Sequence, residues 1–157
     1  MKIDSFSGDF RWLSNFYPCK VFLEDLEFRS VEAAYVASKT LDENIRKQVQ
    51  ELKTSGECKS FGKTIPLRKD WKEVRLKVME NLLRQKFQKD SELGQKLIST
   101  KNIELIEGNY WNDTFWGVCK GKGKNNLGKL LMKIRREISG DIEITFEKRI
   151  KNVRNVV

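Results

Sequence analysis

Glu32 and Lys39 are the two residues best placed to do chemistry in this sequence. They lie seven positions apart in the stretch 30–39, so in a helix they would share one face, about 10 Å apart along the axis. A carboxylate and an amine over one ligand could supply proton transfer and a nucleophile, provided that part of the lysine is uncharged. The competing interpretation, which the spacing alone favours, is a pair of solvated surface charges.

Any catalysis in this chain must rest on lysines, carboxylates or backbone dipoles. The sequence contains no histidine, which removes the commonest general base and every Ser-His or Cys-His pair. Cys19, Cys58 and Cys119 form no C-x-x-C pair, so they disfavour a zinc site and fit a reducing cytosol. We therefore expect a cytoplasmic protein that uses no metal and no other cofactor.

Two segments rich in aromatic residues are candidate binding loops. Residues 12–16, Trp-Leu-Ser-Asn-Phe, predict a turn in which Ser14 and Asn15 bind a ligand or only hold the loop by local hydrogen bonds. Residues 109–117 contain four aromatic residues in nine positions, a density that suits stacking on a nucleobase. Trp116 is the candidate for stacking, with core packing as the equal alternative.

The segment 121–128, Gly-Lys-Gly-Lys-Asn-Asn-Leu-Gly, leads into a predicted helix and is a candidate phosphate site. Backbone N–H groups at the helix start, the positive end of the helix dipole, and Lys122 or Lys124 would together hold a pyrophosphate. The segment matches neither the Walker A loop nor the dinucleotide-binding fingerprint.

The charge of the chain favours an anionic partner. Lysine and arginine outnumber aspartate and glutamate by 31 to 22, for a net charge of +9. Seven of these cations lie between Val118 and Arg136, where there is no acidic residue. Such clustering attracts phosphates, although a surface that only keeps the protein soluble is the alternative.

The elements that must position these residues form one α+β domain, mainly helical, with a small N-terminal β element. The length of 157 residues suits one domain, and neither a membrane-spanning run nor a secretory leader is expected. The patterns predict strands at 2–6, 103–107 and 141–147 and a hairpin at 19–28 turning at Glu24-Asp25. They predict helices at 30–39 (Ser30 as N-cap), 42–53 (stopped by Gly56), 70–89 (Asp70 as N-cap), 90–99 and 125–138, and a basic tail.

Six motifs in one order resemble the NADAR (YbiA-like) family of N-glycosidases, from about Phe6 to Ile138. They are Leu13-Ser-Asn-Phe-Tyr-Pro-Cys19, Ser30-Val-Glu-x-Ala-Tyr-x-Ala-x-Lys39, Pro66-Leu-Arg-Lys-Asp-Trp71, Arg84-x-Lys-Phe87, Asn112-Asp-x-x-Trp-Gly117 and Gly121-x-Gly-x-Asn-x-Leu-Gly128. The resemblance implies a catalytic domain at 1–140 and leaves 141–157, a strand plus the basic tail, as a C-terminal extension.

The resemblance implies hydrolysis of the bond between ADP-ribose and guanine in DNA or RNA, which would reverse DNA ADP-ribosylation as a form of DNA repair. Lys39 matches the position of a family lysine thought to form a Schiff base with the sugar. Glu32 would then move protons, and Asp113 would orient ribose hydroxyls or water. The implied substrate-binding residues are Ser14, Asn15, Phe16, Tyr35, Trp116, Gly117, Gly121, Lys122, Gly123, Lys124 and Asn126.

The chain departs from the family pattern on the predicted catalytic helix. Ala33 occupies the position of a family histidine, and Val36 replaces a common glutamine, so polar contacts are lost. Because Glu32 and Lys39 remain, we expect the reaction to survive with a different substrate choice or rate.

Two other functions stay open at this point. One is hydrolysis of a small ribosylated intermediate of riboflavin biosynthesis, which would respond weakly to salt where a nucleic-acid substrate would respond steeply. The other is a non-catalytic module that binds ADP-ribose or nucleic acid, which Ala33 keeps in consideration.

Overall fold

The computed structural model describes residues 1–140, so the predicted strand 141–147 and the tail of the extension 141–157 lie outside the described residues. The described residues form two compact units, a first unit of residues 6–86 and a second unit of residues 1–5 and 87–140. About half of the described residues are helical and every strand has two or three residues, which confirms the mainly helical α+β class.

In chain order the elements are β1 (Lys2–Ile3), a 3-10 helix (Gly8–Leu13), β2 (Val21–Leu23), β3 (Leu26–Phe28), α1 (Val31–Ser38), α2 (Glu43–Glu51), α3 (Ser55–Gly62), α4 (Trp71–Lys86), α5 (Glu92–Ser99), β4 (Glu104–Leu105), β5 (Gly108–Asn109), β6 (Val118–Cys119) and α6 (Asn126–Ile138).

Helix α1 is the centre of the 6–86 unit. It packs against α2, α3, α4 and the β2–β3 hairpin, and seven of its eight residues are buried. Its start is fixed by Ser30, whose hydroxyl accepts a hydrogen bond from the Ala33 N–H at 3.1 Å, as expected of an N-cap. A helix that is apolar on nearly every side belongs inside a unit, so the predicted helix and its cap are confirmed.

The predicted hairpin is confirmed and the first predicted strand is shorter than expected. Leu23 pairs with Leu26, which leaves Glu24-Asp25 as the turn, with Glu24 at φ 53°. Strand β1 spans only two residues and pairs in parallel with β4, Ile3 opposite Leu105, within the unit that contains residues 1–5 and 87–140. The alternation of polar and apolar residues in 2–6 predicted a strand but not the strand with which it pairs.

Helix α3 is missing from the sequence prediction, which treated Gly56 as a stop. The helix begins at Ser55 because Thr54 and Glu57 form a capping box: the Thr54 hydroxyl accepts from the Glu57 N–H, and the Glu57 carboxylate accepts from the Thr54 N–H. Gly56 therefore lies in a first turn that is held by side chains. The T-x-x-E spacing was a readable signal for this helix.

The unit built from 1–5 and the chain after Phe87 has its core along α6. Leu127, Leu131 and Ile134 are buried on that helix, which packs against α5 and β4. Helix α6 begins after Asn125 and ends at Ile138, as predicted. β5 and β6 lie within the segment predicted as loop and pair in parallel, Gly108 opposite Val118 and Asn109 opposite Cys119.

Candidate active site

Glu32 and Lys39 stand out because of the helix that carries them. Glu32 and Lys39 are each half-buried, whereas the remaining seven residues of the stretch Val31–Lys39 are all buried. Their seven-residue spacing puts them on one face of α1, as the sequence predicted. A solvated pair on an outer face would require an amphipathic surface helix, and α1 is not one, so the structure favours the site over the surface-charge interpretation.

The amine of Lys39 lies close to the Tyr35 ring and to Gly62. Its Nζ is 5.8 Å from the centre of the Tyr35 ring. A Cβ added at Gly62 would lie 3.3 Å from Nζ, so the amine occupies space that is open only because residue 62 has no side chain. Burial lowers the pKa of Lys39 from its ordinary value, and the charge of Glu32 opposes that shift. The amine is therefore more readily uncharged than a surface lysine.

The C-terminal end of α1 is held by the segment before α4. The backbone N–H of Arg68 donates to the Lys39 carbonyl at 2.8 Å, and the Tyr35 and Trp71 rings pack with centres 5.1 Å apart. Directly beyond Lys39 an open cleft of about 510 Å³ is lined by Thr40, Leu41, Asp42, Pro66, Leu67, Arg68, Lys69 and Asp70. Asp70 directly precedes the first residue of α4, and its carboxylate pairs with the Arg68 guanidinium at 2.6 Å.

The Ser14–Phe16 loop lies against the other end of α1. The backbone N–H of Glu32 donates to the Asn15 carbonyl at 3.0 Å, which joins the loop to the first turn of the helix. Asn15 also donates its side-chain amide to the Met79 sulfur at 3.6 Å, whereas its buried Oδ1 has no hydrogen-bond partner among the described residues. A buried acceptor without a donor is a place where a ligand hydroxyl or amine can bind.

Lys86 is a buried residue of this region to which the sequence analysis gave no role. Its side chain is 3% exposed, and its Nζ donates to the Ser14 carbonyl at 2.7 Å. Burial lowers the pKa of Lys86 to about 8, and the nearby Cys19 opposes the shift. The motif Arg84-x-Lys-Phe87 was visible in the sequence, but its contact with a loop 72 positions earlier was not.

The other predicted site residues gather in the second unit, around the loop between β5 and α6. Asp113 closes a turn there: its Oδ1 accepts from the N–H groups of Phe115 at 3.2 Å and Trp116 at 2.9 Å. Trp116 is half-buried and packs edge-to-face on Phe115, with ring centres 4.9 Å apart. Asp113 and Trp116 therefore both stabilise this loop, and their expected roles toward a ligand stay predictions.

The expected phosphate donors at the start of α6 are already in use, which corrects one step of the sequence argument. Four successive backbone N–H groups donate to carbonyls of the preceding loop: Lys124 to Thr114, Asn125 to Gly117, Asn126 to Phe115 and Leu127 to Trp116. The side chains of Lys122 and Lys124 are exposed and available as anion contacts.

Three glycines of this loop are required by the backbone conformation and packing. A Cβ at Gly117 would collide with the Glu107 carboxylate, and one at Gly123 would collide with the Gly117 carbonyl. Gly121, at φ 75°, has open space around it but occupies a conformation that side chains disfavour. The glycine pattern therefore reflects close backbone packing and one tight turn.

Within residues 1–140, no group of three or more histidine, cysteine, aspartate or glutamate side chains is arranged to hold a metal ion. In the same range no helix is both long and apolar enough to cross a membrane.

Comparison with known proteins places the chain in a family. The NADAR domain family matches residues 5–139. Over 138 residues the chain is 34% identical to the N-glycosidase YbiA of Escherichia coli K12, covering 86% of each protein. It is 33% identical over 138 residues to an N-glycosidase of Nostoc punctiforme, covering 84% of this chain and 88% of that one. The chain thus belongs to the NADAR family, as its motifs indicated.

A solved structure and a longer relative extend the comparison. The NMR structure of E. coli YbiA matches with a TM-score of 0.78 at 33% identity, over 88% of this chain and 84% of that one, so the fold is the YbiA-like domain predicted. A riboflavin biosynthesis protein of Vibrio vulnificus is 32% identical over 130 residues, which are 81% of this chain and 35% of that protein.

Proposed function

We propose that this protein is an N-glycosidase that hydrolyses the bond between ADP-ribose and guanine in nucleic acid, through an imine formed by Lys39. One observation carries the proposal: the central, otherwise buried helix α1 presents one amine and one carboxylate, both half-buried, and burial lowers the pKa of the amine. The names of the two N-glycosidase relatives support the reaction type.

The chemistry needs only these groups and water. The uncharged Lys39 amine attacks the anomeric carbon of the ribose, the bond from that carbon to the guanine nitrogen breaks, and the base leaves with a proton taken from the attacking nitrogen. The bond between the anomeric carbon and the ring oxygen then breaks, the ring oxygen takes up the second proton of that nitrogen, and an imine to the open-chain sugar is formed. Glu32 carries protons to the leaving group and away from the new nitrogen–carbon bond. Water then hydrolyses the imine, which releases the free sugar and restores the amine. Asn15 Oδ1 is the acceptor available to a ribose hydroxyl.

Replacing Lys39 with alanine tests the proposal. We expect Lys39→Ala to abolish release of ADP-ribose from a guanine-ADP-ribosylated oligonucleotide, since the nucleophile is gone. Borohydride should trap a sugar adduct on Lys39 of the original protein, identified by peptide mass spectrometry, and none on the variant. Lys39→Arg is the matched control that keeps the charge but cannot form the imine, and it should be equally inactive. Full release by Lys39→Ala would refute the mechanism.

A second substrate is favoured by the Vibrio vulnificus relative, whose name places it in riboflavin biosynthesis. The same lysine chemistry would cleave a small ribosylated intermediate of riboflavin biosynthesis. The two candidates separate when both substrates are offered to the protein side by side. A kcat/KM at least about 100-fold higher for the metabolite, a difference of roughly 3 kcal/mol in transition-state binding, would replace the nucleic-acid substrate with the small one.

A further inference from the structure

Two large aromatic side chains are exposed side by side in the second unit. Tyr110 is 87% exposed and Trp111 is 46% exposed, and their rings meet edge-to-face with centres 5.0 Å apart. Scattered exposed apolar residues are normal, but two adjacent large rings form a patch that calls for a partner. Trp116, the residue chosen from sequence for stacking, is half-buried and so presents less of its ring to a ligand.

The loop that carries the two rings is fixed at its base. Asn109 holds both ends of the turn, since its side chain donates to the Asp113 carbonyl at 2.8 Å and accepts from the Asp113 N–H at 3.1 Å. Asn112 contacts the Cys119 sulfur through its Oδ1 at 3.7 Å. The rings are therefore presented by a braced turn, which reduces the entropy lost when a partner binds.

Lysines lie beside the aromatic pair. β5 and β6 are paired in parallel with Asn109 opposite Cys119, so Tyr110 and Lys120 are the next residues at the same end of the strand pair. Lys120 and Lys122 are exposed in the tight turn that follows, where the N–H of Lys122 donates to the Cys119 carbonyl at 3.0 Å. The sequence from Val118 to Arg136 contains no acid to offset these charges.

We propose that the exposed side chains of Tyr110, Trp111, Lys120 and Lys122 form a docking surface for unpaired nucleotides of a single-stranded nucleic acid. A base stacks on the ring pair, and the adjoining phosphates contact the two lysines. Exposed rings next to exposed lysines match a nucleotide better than an apolar protein face, because both the base and the phosphate find a partner. The surface binds an unmodified strand, so it extends the proposed function without depending on Lys39.

Binding of an unmodified, fluorescein-labelled single-stranded DNA, followed by anisotropy, tests the surface. Replacing both Tyr110 and Trp111 with alanine should weaken binding by roughly 5- to 100-fold, the loss expected for one stacked base. The matched control is Phe22→Ala, which removes an exposed ring that also lies near a lysine, Lys20 at 5.7 Å, but in the other unit. The control should leave the affinity unchanged.

A second pair of variants tests the lysines and does not involve the aromatic turn. Lys120→Gln with Lys122→Gln should reduce the slope of log affinity against log salt by roughly 1.4, the contribution of two phosphate contacts on a single strand. Lys89→Gln, at an exposed lysine of the same unit, should leave the slope within error of the original. Cooperative thermal unfolding of every variant confirms that it is folded.

Two results would overturn the docking surface: affinity unchanged by both sets of variants, or a duplex of the same sequence bound as tightly as the single strand. Neither result bears on release of ADP-ribose by Lys39, which is measured separately. An active enzyme whose affinity for the single strand is unchanged by both sets of variants would refute this surface alone, and an inactive protein that binds single strands through it would refute the proposed function alone.

Discussion

The amine of Lys39 is under two opposing influences. Burial lowers its pKa, and the negative charge of Glu32 raises it again, so the carboxylate both assists the reaction and keeps part of the nucleophile protonated. The two effects are separable because imine formation needs the free amine, while departure of the base needs a proton.

Replacing Glu32 with glutamine should separate these effects. Without the carboxylate the pKa of Lys39 falls further, so the acidic limb of borohydride trapping against pH should move to lower pH. Turnover should drop by about 10²- to 10⁴-fold, the usual contribution of a positioned acid or base. Glu51→Gln, at an exposed residue of α2, is the matched control and should change neither quantity. A trapping limb that stays in place or moves to higher pH would contradict this account.

At the scale of elements, α3 determines how much room the amine of Lys39 has. Its last residue, Gly62, lies so close to α1 that a Cβ there would be 3.0 Å from the Val36 Cγ2 atom and 3.3 Å from the Lys39 Nζ. Gly56 lies in the first turn of the same helix, and a Cβ there would meet only the Thr54 hydroxyl, at 3.9 Å. The two glycines offer a matched comparison within one element.

Gly56→Ala should raise the free energy of unfolding by up to about 1 kcal/mol, since alanine favours the helix, and should leave activity unchanged. Gly62→Ala should forfeit that gain to crowding and reduce kcat by roughly tenfold, because the amine is displaced by a fraction of an ångström. Chemical denaturation and steady-state turnover measure both quantities. Equal behaviour of the two variants would show that Gly62 has no part in positioning Lys39.

At the scale of the whole molecule, the buried ammonium of Lys86 makes stability depend on pH. Its pKa is about 8 when folded and returns to its ordinary value of 10.5 when the chain unfolds, so between these values the unfolded chain binds more protons. The free energy of unfolding is therefore reduced below pH 8 and recovers as pH rises toward 10.5.

Comparison with Lys86→Met isolates this effect. The unfolding free energy of the original protein minus that of the variant should increase by about 3 kcal/mol across this range of pH. Lys77→Met makes the same change at an exposed position of α4 and should show no such trend. Parallel pH dependences for the original protein and Lys86→Met would refute a depressed pKa at Lys86.

The sequence anticipated what local pattern determines. Helix α1 and its Ser30 cap, the hairpin turn at Glu24-Asp25 and the start of α6 each follow from a short run of residues, and the structure has all three. The shared face of Glu32 and Lys39 follows from helical spacing in the same way.

Contacts between distant parts of the chain were not predictable from one sequence. The pairing of β1 with β4, the contact of Lys86 with Ser14 and the occupied N–H groups at the start of α6 all join residues that no local pattern relates. The burial of α1 on every side belongs to this group as well. That burial is what changes two ordinary charged residues into a candidate site.

A helix enclosed in this way cannot rotate about its axis or slide along it without emptying packed volume around Val31, Ala34 and Ala37, which are wholly buried. The distance between the backbones of Glu32 and Lys39 is therefore set when the chain folds and not when a ligand binds. The backbone positions of the two proposed reacting groups are preorganised. Little of a ligand's binding energy is then needed to align this helix, and more of it can lower the barrier of the proposed reaction at the sugar.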